Sequence, residues 1–445
     1  MSKEQRAARD LLSFIDASPS PWHAVASCTA RLEAAGFSRL HESAAWRLAP
    51  DTGYYVVRDD SSLIAFHTGS GALADHGYRI IGAHTDSPGF RVKPNPIKRQ
   101  PGANTLGVEI YGGPIVASFA DRELSLAGRV IVADDKGGHL STRLYHAQRP
   151  LLRLPNVAIH LNRTVNQEGL KFDLQSELPL VLGVMEAELP AREDFKALLG
   201  QELGVSAENI LSWELAVADT QAGAFFGLEQ EYIANSQLDN LASCHAALEA
   251  IVEASQDGFA GVRVLAFFDH EEIGSQSFKG ADGPFLNDVL GRIEDVFAAG
   301  PGEASQARAR SLVLSADMAH AHHPNYARYY DMEHTVHPNR GPVIKINASQ
   351  RYATDGLADA VFETLCREVD VPVQRYVHRN DLPCGSTIGP ITAGRLGIRC
   401  ADVGNAMWSM HSLRESAGAR DHDFMIRAMR HFLCREQLPF GGGAS

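Results

Sequence analysis

Cysteine is scarce in this chain of 445 residues and follows no recognisable spacing. None of the six cysteines belongs to a Cys-x-x-Cys pair, and they stand at Cys28, Cys244, Cys366, Cys384, Cys400 and Cys434. Such scattering fits neither a zinc ribbon nor a disulfide framework. We therefore expect a protein of the reducing cytoplasm.

Long apolar runs and an excess of positive charge are missing as well. No uncharged apolar run reaches the ~18 residues that a membrane span requires, and the segment Met1–Arg6 is charged rather than apolar. The 41 Lys and Arg residues are outnumbered by 54 Asp and Glu residues, and the net charge of −13 repels phosphate backbones and anionic lipid. We expect no signal peptide, no membrane span and no nucleic-acid partner.

The remaining composition is that of an ordinary globular protein. Hydrophobic residues make up 44% and charged residues 21% of the chain, which argues against collagen, disordered and coiled-coil classes. The length exceeds that of one typical core, so we expect two domains or one domain with a large insertion.

Predicted strands alternate with predicted helices along most of the chain. Helical patterns cover Asp239–Ala254 and Asp355–Glu368, and another helix is expected to begin near Pro21 with Ser18 or Ser20 as its cap. The apolar runs that predict strands are 54–57, 63–66, 78–83, 262–268, 312–314, 343–346 and 398–401. This alternation predicts an α/β fold whose ligands bind beyond the carboxyl ends of the strands.

One long interval, between His84 and Asp239, breaks this alternation. There the stretch from 93 to 229 carries turn-rich β patterns. A connection between a strand and a helix needs only a few residues. We therefore predict that residues 93–229 form a β-rich domain inserted into a discontinuous main domain, which consists of residues 1–92 and 230–445.

The first polar cluster at a strand end contains His84 and Asp86. Side chains two positions apart in an extended segment face the same side, so His84 can bind a metal while Asp86 orients it. The simpler alternative is a polar turn after a core strand, which is the commoner meaning of such a motif in isolation.

The second cluster is the pair Glu271 and Glu272, which follows a run of apolar residues that ends at Phe268. Adjacent carboxylates at a strand end project in different directions. One can therefore bind a metal while the other serves as general base toward a metal-held water. The alternative is a solvated acidic loop, which the apolar run weakens because it places the pair at the mouth of the core.

Three further candidates each have an ordinary structural explanation. Asp239 could cap the helix that it opens, Asp317 could be a lone carboxylate at a strand end, and His411 could be a loop histidine bound to a carbonyl. Together with His84 and Glu272 they supply two imidazoles and three carboxylates, which suits a hydrolytic zinc, manganese or cobalt centre. One carboxylate shared between two ions would hold them ~3.5–4 Å apart with room for a bridging water. The set therefore predicts a hydrolase.

Six segments, taken together and in this order, carry a family resemblance. They are GAHTDSPG (82–89), SQLDNL (236–241), FDHEEIGS (268–275), SADMAHAHHPN (315–325), KINASQRYATD (345–355) and MHSLRE (410–415). These segments resemble the metal and substrate motifs of the M18 family, the aspartyl aminopeptidases, and DRELSLAGRV (121–130) in the insertion is similar as well. The resemblance implies a zinc-peptidase-type sheet flanked by helices, with an inserted β-rich second domain.

The resemblance also assigns the metal ligands. His84 and Asp317 would bind one divalent ion, Glu272 and His411 would bind the other, and Asp239 would bridge the two. Each subunit would hold two ions, with zinc expected ahead of manganese or cobalt. All five positions carry residues of the family pattern, so the resemblance gives no sign of a lost activity.

Catalytic and substrate roles come from the same resemblance. Glu271 resembles the general base, and Asp86 resembles the partner that supports the first metal-binding histidine. His320 resembles a residue that contacts the substrate, while Lys345 and Tyr352 resemble residues that line its pocket.

The inserted domain is expected to make subunit contacts in an oligomer. His160 matches a histidine that reaches the active site of a neighbouring subunit, and the apolar run Val157–Ile159 before it predicts a short strand. The alternative for His160 is a buried or interface histidine bound to a carbonyl. The resemblance implies a homo-oligomer, a tetrahedral dodecamer built from dimers.

The expected function is that of a two-metal aminopeptidase that removes Asp or Glu from peptide N-termini, with Lys345 as the cation that favours acids. Two alternatives stay open. The same chemistry could act on neutral N-termini or on another amide substrate, or the protein could be a metal-binding assembly protein without activity. Glu271 argues against the last alternative, because a scaffold has no use for a general base.

Overall fold

The computed structural model describes residues 3–134, 138–184, 191–298 and 300–440. The helices of these ranges are α1 Lys3–Asp16, α2 Pro21–Ala34, α3 Leu73–His76, α4 Val165–Glu168, α5 Ala191–Leu203, α6 Leu238–Ala254, α7 Phe285–Phe297, α8 Pro301–Ala309, α9 Gly356–Glu368, α10 Ile388–Leu396 and α11 Asp421–Cys434. The first strands are β1 Ser38–Leu40, β2 Gly53–Arg58, β3 Ser62–His67, β4 Tyr78–His84, β5 Gly89–Gln100, β6 Ala103–Tyr111, β7 Leu124–Ala133, β8 Leu140–His146, β9 Leu180–Gly183 and β10 Ile210–Asp219. The remaining strands are β11 Ala224–Phe226, β12 Tyr232–Asn235, β13 Val262–Phe268, β14 Leu312–Ala316, β15 Ala319–His320, β16 Val343–Ile346, β17 Gln374–Val377, β18 Arg399–Gly404, β19 Ala406–Trp408 and β20 Glu415–Gly418.

The first sheet is mixed and has nine strands. Their order is β1, β2, β3, β13, β4, β14, β18, β16 and β17. The four central strands β13, β4, β14 and β18 run parallel to one another, whereas β3 and β16 pair with them antiparallel. Helices cover both faces of this sheet, so the predicted α/β fold is confirmed.

Strand β4 illustrates why the centre of this sheet reads as an apolar run. All of its residues are buried. Ile81 and Ala83 pack into a core with α1, α2, α6 and α11, whereas Tyr78 and Ile80 pack on the other face against α7, α8 and α10. Because successive side chains alternate between two helix-covered faces, both sets are mainly apolar, with Arg79 as a buried exception.

The second sheet is antiparallel and has its own core. Its order is β8, β7, β10, β5, β6 and β9, and its core includes Phe90, Leu126, Leu215 and, from α5, Phe195. The sheet begins at Gly89, just before the predicted boundary at residue 93. The division into two domains at residues 93 and 229 stays a prediction.

A third sheet of short strands was not predicted from the sequence. Its order is β11, β12, β20, β19 and β15. Strands of two to four residues are too short to show a hydrophobic period. The sheet matters for function because β12 leads into Asp239 and β20 begins with Glu415.

The hydrogen bonds at the start of α2 show which of the two predicted serines caps the helix. The Ser20 hydroxyl oxygen accepts a hydrogen bond from the His23 N–H, and Pro21 occupies the first helical turn. The Ser18 hydroxyl instead bonds to that of Ser27, at 3.1 Å. Ser20 is therefore the cap, as its position just before the proline favours.

The predicted strand at Val157–Ile159 is wrong. The segment has no strand structure, Val157 and Ile159 are 60% and 48% exposed, and His160 lies exposed in the turn that follows. An apolar run predicts a strand only where another segment pairs with it, and within the described residues of this chain nothing does so here.

All six cysteines are free thiols, and Cys28, Cys244, Cys366 and Cys400 are buried.

Among the described helices, none combines the length and the apolar character that crossing a bilayer requires.

Candidate metal centre

The carboxyl ends of three neighbouring strands meet at one edge of the first sheet. β4 ends at His84, which lies level with Phe268, the last residue of the parallel strand β13. On the other side of β4, the parallel strand β14 ends directly before Asp317. Because parallel neighbours end on the same side of a sheet, these residues and the loop after Phe268 converge.

Three groups of potential ligand atoms lie at this edge. Two of them, called the first and second clusters, share Asp239, and the third consists of His84, Glu271 and Glu272. In the first cluster, His84 Nε2 lies 3.5 Å from Asp239 Oδ1 and 3.6 Å from Asp317 Oδ1. In the second, His411 Nε2 lies 3.4 Å from Asp239 Oδ2 and 3.3 Å from Glu272 Oε2. The two oxygens of Asp239 therefore face one imidazole each, as a bridging ligand requires.

Both imidazoles are held in the tautomer that a metal needs. Nδ1 of His84 lies 2.9 Å from the main-chain oxygen of Asp86, and Nδ1 of His411 lies 3.0 Å from that of Gly113. A carbonyl oxygen can only accept, so each Nδ1 carries the proton and donates it. Each Nε2, which faces the carboxylates, is thereby left with a free lone pair that can bind a metal.

The buried carboxylates have unmet bonding capacity that a cation would satisfy. Asp239 Oδ1 and Glu272 Oε1 are buried and have no hydrogen-bond donor among the described residues. A buried carboxylate oxygen without a partner is costly. The donor set of imidazole nitrogens and carboxylate oxygens suits zinc, manganese or cobalt. The residues therefore fit a divalent metal site.

Asp239 stands at the start of α6 but does not cap it. Its backbone is not helical, with φ −85° and ψ 106°, and its peptide bond to Asn240 is cis. The Asn240 side-chain amide donates to the main-chain oxygen of Ala316 at 2.7 Å. This bond ties the start of α6 to the end of β14, and the Asp239 carboxylate is left to face the histidines.

Asp86 organises the turn that carries the two glutamates. Its carboxylate accepts hydrogen bonds from the N–H groups of Glu271 at 3.1 Å and Glu272 at 3.2 Å, and from the Tyr111 hydroxyl at 2.7 Å. The same carboxylate lies 3.6 Å from His84 Nδ1, whose closer partner is the Asp86 main chain. Asp86 is fully buried, so the motif is neither a solvated loop nor an ordinary polar turn.

Glu271 lies beside the first cluster, slightly farther from His84 than Asp239 and Asp317 do. Its Oε2 is 3.9 Å from His84 Nε2. Burial raises the pKa of Glu271 well above its usual range; His84 opposes this rise, whereas Asp317 and Glu272 add to it. A carboxyl group with a raised pKa is suited to accept and hold a proton.

Sequence reasoning missed Glu415, which supports both ligand clusters. Its carboxylate accepts hydrogen bonds from the main-chain N–H groups of Asp239 at 2.9 Å and His411 at 2.7 Å. Glu415 is buried, and burial, together with the nearby Asp239, raises its pKa well above the usual range. Its place in the segment MHSLRE was the one available signal.

Tyr111 and Gly113 were also missed; they lie at the end of β6 in the second sheet and in the loop that follows it. Tyr111 ends β6, and its hydroxyl reaches the Asp86 carboxylate, while Gly113 offers its carbonyl to His411. The second sheet thus contributes directly to the metal centre. No local pattern marks these residues, because their partners are distant in sequence.

The predicted substrate residue Lys345 lies next to a metal ligand. Its ammonium is 3.2 Å from Asp317 Oδ2 and 3.1 Å from the main-chain oxygen of Met318, and it stands 5.1 Å from the ring centre of Tyr352. Lys345 and Tyr352 are both buried, and burial raises the pKa of the Tyr352 hydroxyl. The structure thus places Lys345 against Asp317 and Tyr352 against Lys345.

His320 lies close enough to Lys345 to feel its charge, and its buried position favours the neutral ring. Its ring packs edge-on against Tyr376 and His378, with centroids 5.8 and 6.2 Å away. Burial lowers the pKa of His320 to about 4, and the neighbouring charge of Lys345 adds to this effect. His160, in contrast, makes none of the described contacts of this centre within its own chain and is exposed.

A mixed α/β sheet carries imidazoles and carboxylates at its carboxyl edge, and one of these carboxylates faces two ligand clusters. This arrangement is that of a metallohydrolase. The family model for aminopeptidase I zinc metalloproteases (M18) matches residues 14–433. The chain therefore belongs to the M18 family, and it is a zinc metallo-aminopeptidase.

Relatives cover nearly the whole chain. It is 46% identical over 434 residues to the probable M18 family aminopeptidase 2 of Pseudomonas paraeruginosa, covering 96% of this chain and 98% of the relative. The solved complex of Ape4 and Nbr1 matches with a TM-score of 0.93 and 37% identity, over 97% of this chain and 86% of that one. The dodecamer of yeast mApe1 matches with a TM-score of 0.86 and 25% identity, over 98% of each chain.

Proposed function

We propose that this aminopeptidase uses two metal ions to remove acidic residues from peptide N-termini. The observation that carries the two-metal proposal is the division of the Asp239 carboxylate, with Oδ1 3.5 Å from His84 Nε2 and Oδ2 3.4 Å from His411 Nε2. His84 and Asp317 would complete one site, and Glu272 and His411 the other. When bound, two divalent ions polarise the scissile carbonyl and lower the pKa of a water.

Glu271 acts as the general base in this proposal. It takes a proton from the attacking water and returns the proton to the leaving amine. Its partly buried side chain lies next to the first cluster, and Asp86 fixes its main chain. The raised pKa of Glu271 supports its ability to keep the proton between the two steps.

The acidic preference rests on Lys345, because the net charge of −13 repels an acidic substrate from a distance. A local cation must therefore supply the attraction. A charge-assisted contact in a desolvated pocket contributes roughly 1.5–3 kcal/mol. Lys345 is a buried cation at the edge of the metal centre, where a substrate side chain would meet it.

One observation favours the alternative of neutral N-termini. The Lys345 ammonium already contacts Asp317 and the Met318 carbonyl, so part of its charge serves the metal site. A panel of aminoacyl substrates with Asp, Glu, Ala or Leu at the N-terminus, assayed with zinc, manganese and cobalt, separates the two candidates. Higher kcat/KM for Asp and Glu supports the acidic preference, and equal or higher values for Ala and Leu contradict it.

We also propose that the chain assembles as a homo-oligomer through the predicted inserted domain of residues 93–229. The related yeast mApe1 forms a dodecamer. Around His160, the side chains of Val157, Ile159 and Leu161 are 60%, 48% and 81% exposed, an apolar surface typical of subunit contacts. Mass measurement of the native protein tests this proposal, and a monomer at assay concentration contradicts it.

A further inference from the structure

A row of charged side chains connects the second sheet to the loop of Glu271. Glu214 lies in β10 and Arg129 in β7. Glu214 Oε2 accepts a hydrogen bond from Arg129 Nε at 2.6 Å. The Arg129 guanidinium also donates to both carboxylate oxygens of Asp59, at 2.9 and 3.0 Å. Asp59 Oδ2 lies 2.8 Å from the ammonium of Lys279, which lies 2.9 Å from Asp269 Oδ2. The charges alternate in sign along the whole row.

Lys279 is the centre of this row and is fully bonded. It is 2% exposed, and its ammonium also donates to the Ser61 hydroxyl at 2.9 Å. An ammonium offers three protons, and Asp59, Asp269 and Ser61 take one each. Burial alone would lower the pKa of Lys279, but the two carboxylates outweigh it and raise the pKa. The side chain is therefore a fixed cation in one geometry.

Asp269 lies between Lys279 and the segment that carries Glu271. It is 1% exposed and stands two positions before Glu271. Its Oδ1 accepts from the N–H of His270 at 2.8 Å, and its own N–H donates to the Ser62 hydroxyl at 2.9 Å. His270 has a left-handed backbone, with φ 65°, which is uncommon for a residue with a side chain. Its orientation therefore depends on these contacts.

We infer that Lys279 is a positioning residue for the general base, and that Asp59 and Arg129 connect this residue to the second sheet. The inference rests on the proposed role of Glu271. Lys279 holds Asp269 from one side, while Asp86 holds the N–H groups of Glu271 and Glu272 from the other. Loss of Lys279 leaves Asp269 as a buried carboxylate without its cation, and such a group must reorient or take up a proton.

The first test compares Lys279→Met with a matched control, Arg308→Met. Arg308 pairs with Glu294 at 2.8 and 3.0 Å between α8 and α7, away from the metal centre. A displacement of ~1 Å at a reacting group can cost about a hundredfold in rate. We expect Lys279→Met to lower kcat by about ten- to a hundredfold with KM and bound metal almost unchanged. The control variant should keep the kcat of the unmodified protein.

The second test asks whether the second sheet takes part. Arg129→Met should lower kcat by a smaller factor, and the double variant with Lys279→Met should be no slower than Lys279→Met alone, because residues of one network are not additive. Additive losses in kcat would show that Arg129 acts independently and would overturn the connection to the second sheet.

The outcomes separate this inference from the proposed function. Glu271→Gln is measured alongside, and an active Glu271→Gln would overturn the general-base role itself. Glu271→Gln could be inactive although Lys279→Met, folded and loaded with metal, keeps its kcat. In that case only the positioning role is wrong. If Lys279→Met does not fold, Asp269→Asn replaces it, since that variant removes the carboxylate that Lys279 holds. An unchanged kcat in folded, metal-loaded Asp269→Asn would then overturn the inference.

Discussion

The carboxylate of Glu415 accepts a hydrogen bond at 2.9 Å from the main-chain N–H of Asp239. Its second oxygen accepts one at 2.7 Å from the N–H of His411. One buried side chain thus fixes the backbone of Asp239, the proposed bridging ligand, and of His411, a proposed ligand of the second ion. Metal ligands depend on such supporting contacts for their orientation.

Glu415→Gln should weaken metal binding. An amide has one acceptor oxygen, and its NH2 group would face an N–H donor where the carboxylate now accepts. We expect metal affinity to fall by about 10- to 100-fold, the usual scale for loss of a supporting contact. Competition with a chelator measures the affinity. Glu363→Gln, on the exposed side of α9, is the control, and equal affinities in the two variants would contradict the role of Glu415.

Glu271→Gln should separate metal binding from catalysis. The amide cannot accept the proton of the attacking water, so kcat should fall by ~10²-fold or more, while the five ligands stay intact. Metal content is measured by elemental analysis and kcat by peptide hydrolysis. Near-normal turnover in a metal-loaded variant would remove Glu271 from the mechanism. Asp239→Asn is the counterpart, and it should lose metal because one carboxylate serves both clusters.

Lys345→Met should change specificity more than turnover. Without its ammonium, kcat/KM for acidic substrates should fall by about ten- to a hundredfold, the equivalent of one charge-assisted contact, while neutral substrates are spared. Metal content is measured in the same samples, because Lys345 also contacts Asp317. An equal loss on acidic and neutral substrates would mean that Lys345 supports the metal site and does not select substrates.

Activity should depend on contact between subunits if His160 serves a neighbouring centre. Its exposed position leaves it available to another chain. Two inactive variants, Glu271→Gln and His160→Phe, are mixed under conditions of subunit exchange. Activity should then reappear above that of either parent, because some neighbours pair an intact Glu271 with an intact His160. If mass measurement confirms exchange and no activity returns, His160 acts only within its own chain or in folding.

Asp10 should make the protein sensitive to acid. A hydrogen bond with His245, at 2.9 Å, and the pair with Arg31 hold the pKa of Asp10 below its usual range, although burial opposes them. A carboxylate with a depressed folded-state pKa adds stability above its unfolded pKa of about 3.9, and this stability is lost as the pH falls below that value.

Asp10→Asn should therefore lower Tm near neutral pH, and the difference from the unmodified protein should shrink as the pH falls to about 3. Thermal unfolding at a series of pH values measures this difference. Asp75→Asn, which removes an exposed carboxylate of α3, is the control. A difference that stays constant with pH would show that Asp10 stabilises the fold without its charge.

Much of the metal centre could be predicted from local sequence. Apolar runs end directly before His84, before the segment of Glu271 and Glu272, and before Asp317. In a parallel sheet such strand ends share one edge. The residue types at these ends therefore indicated the ligands of a metal centre, and the order of six motifs indicated the family to which the chain belongs.

The apolar run at Val157–Ile159 shows where this reasoning fails. The run has the composition of a strand, yet it is exposed and unpaired within the described residues of this chain. Hydrophobic pattern reports which residues tend to leave water, but strand pairing depends on a partner segment elsewhere. A local sequence therefore cannot distinguish a paired strand from an exposed apolar turn.

The sequence by itself thus determined the class of fold, the five ligand positions and the general base as predictions, since each follows from local pattern or motif order. Only the tertiary structure decided which groups support them, such as Glu415 under Asp239 and Lys279 beside Asp269. The contact of Glu415 joins distant segments, because β12 and β20 pair in the third sheet. The contact of Lys279 closes the loop between β13 and α7. Neither contact leaves a periodic signal in the sequence, because strand pairing and loop conformation, which bring these buried groups together, depend on the folded chain.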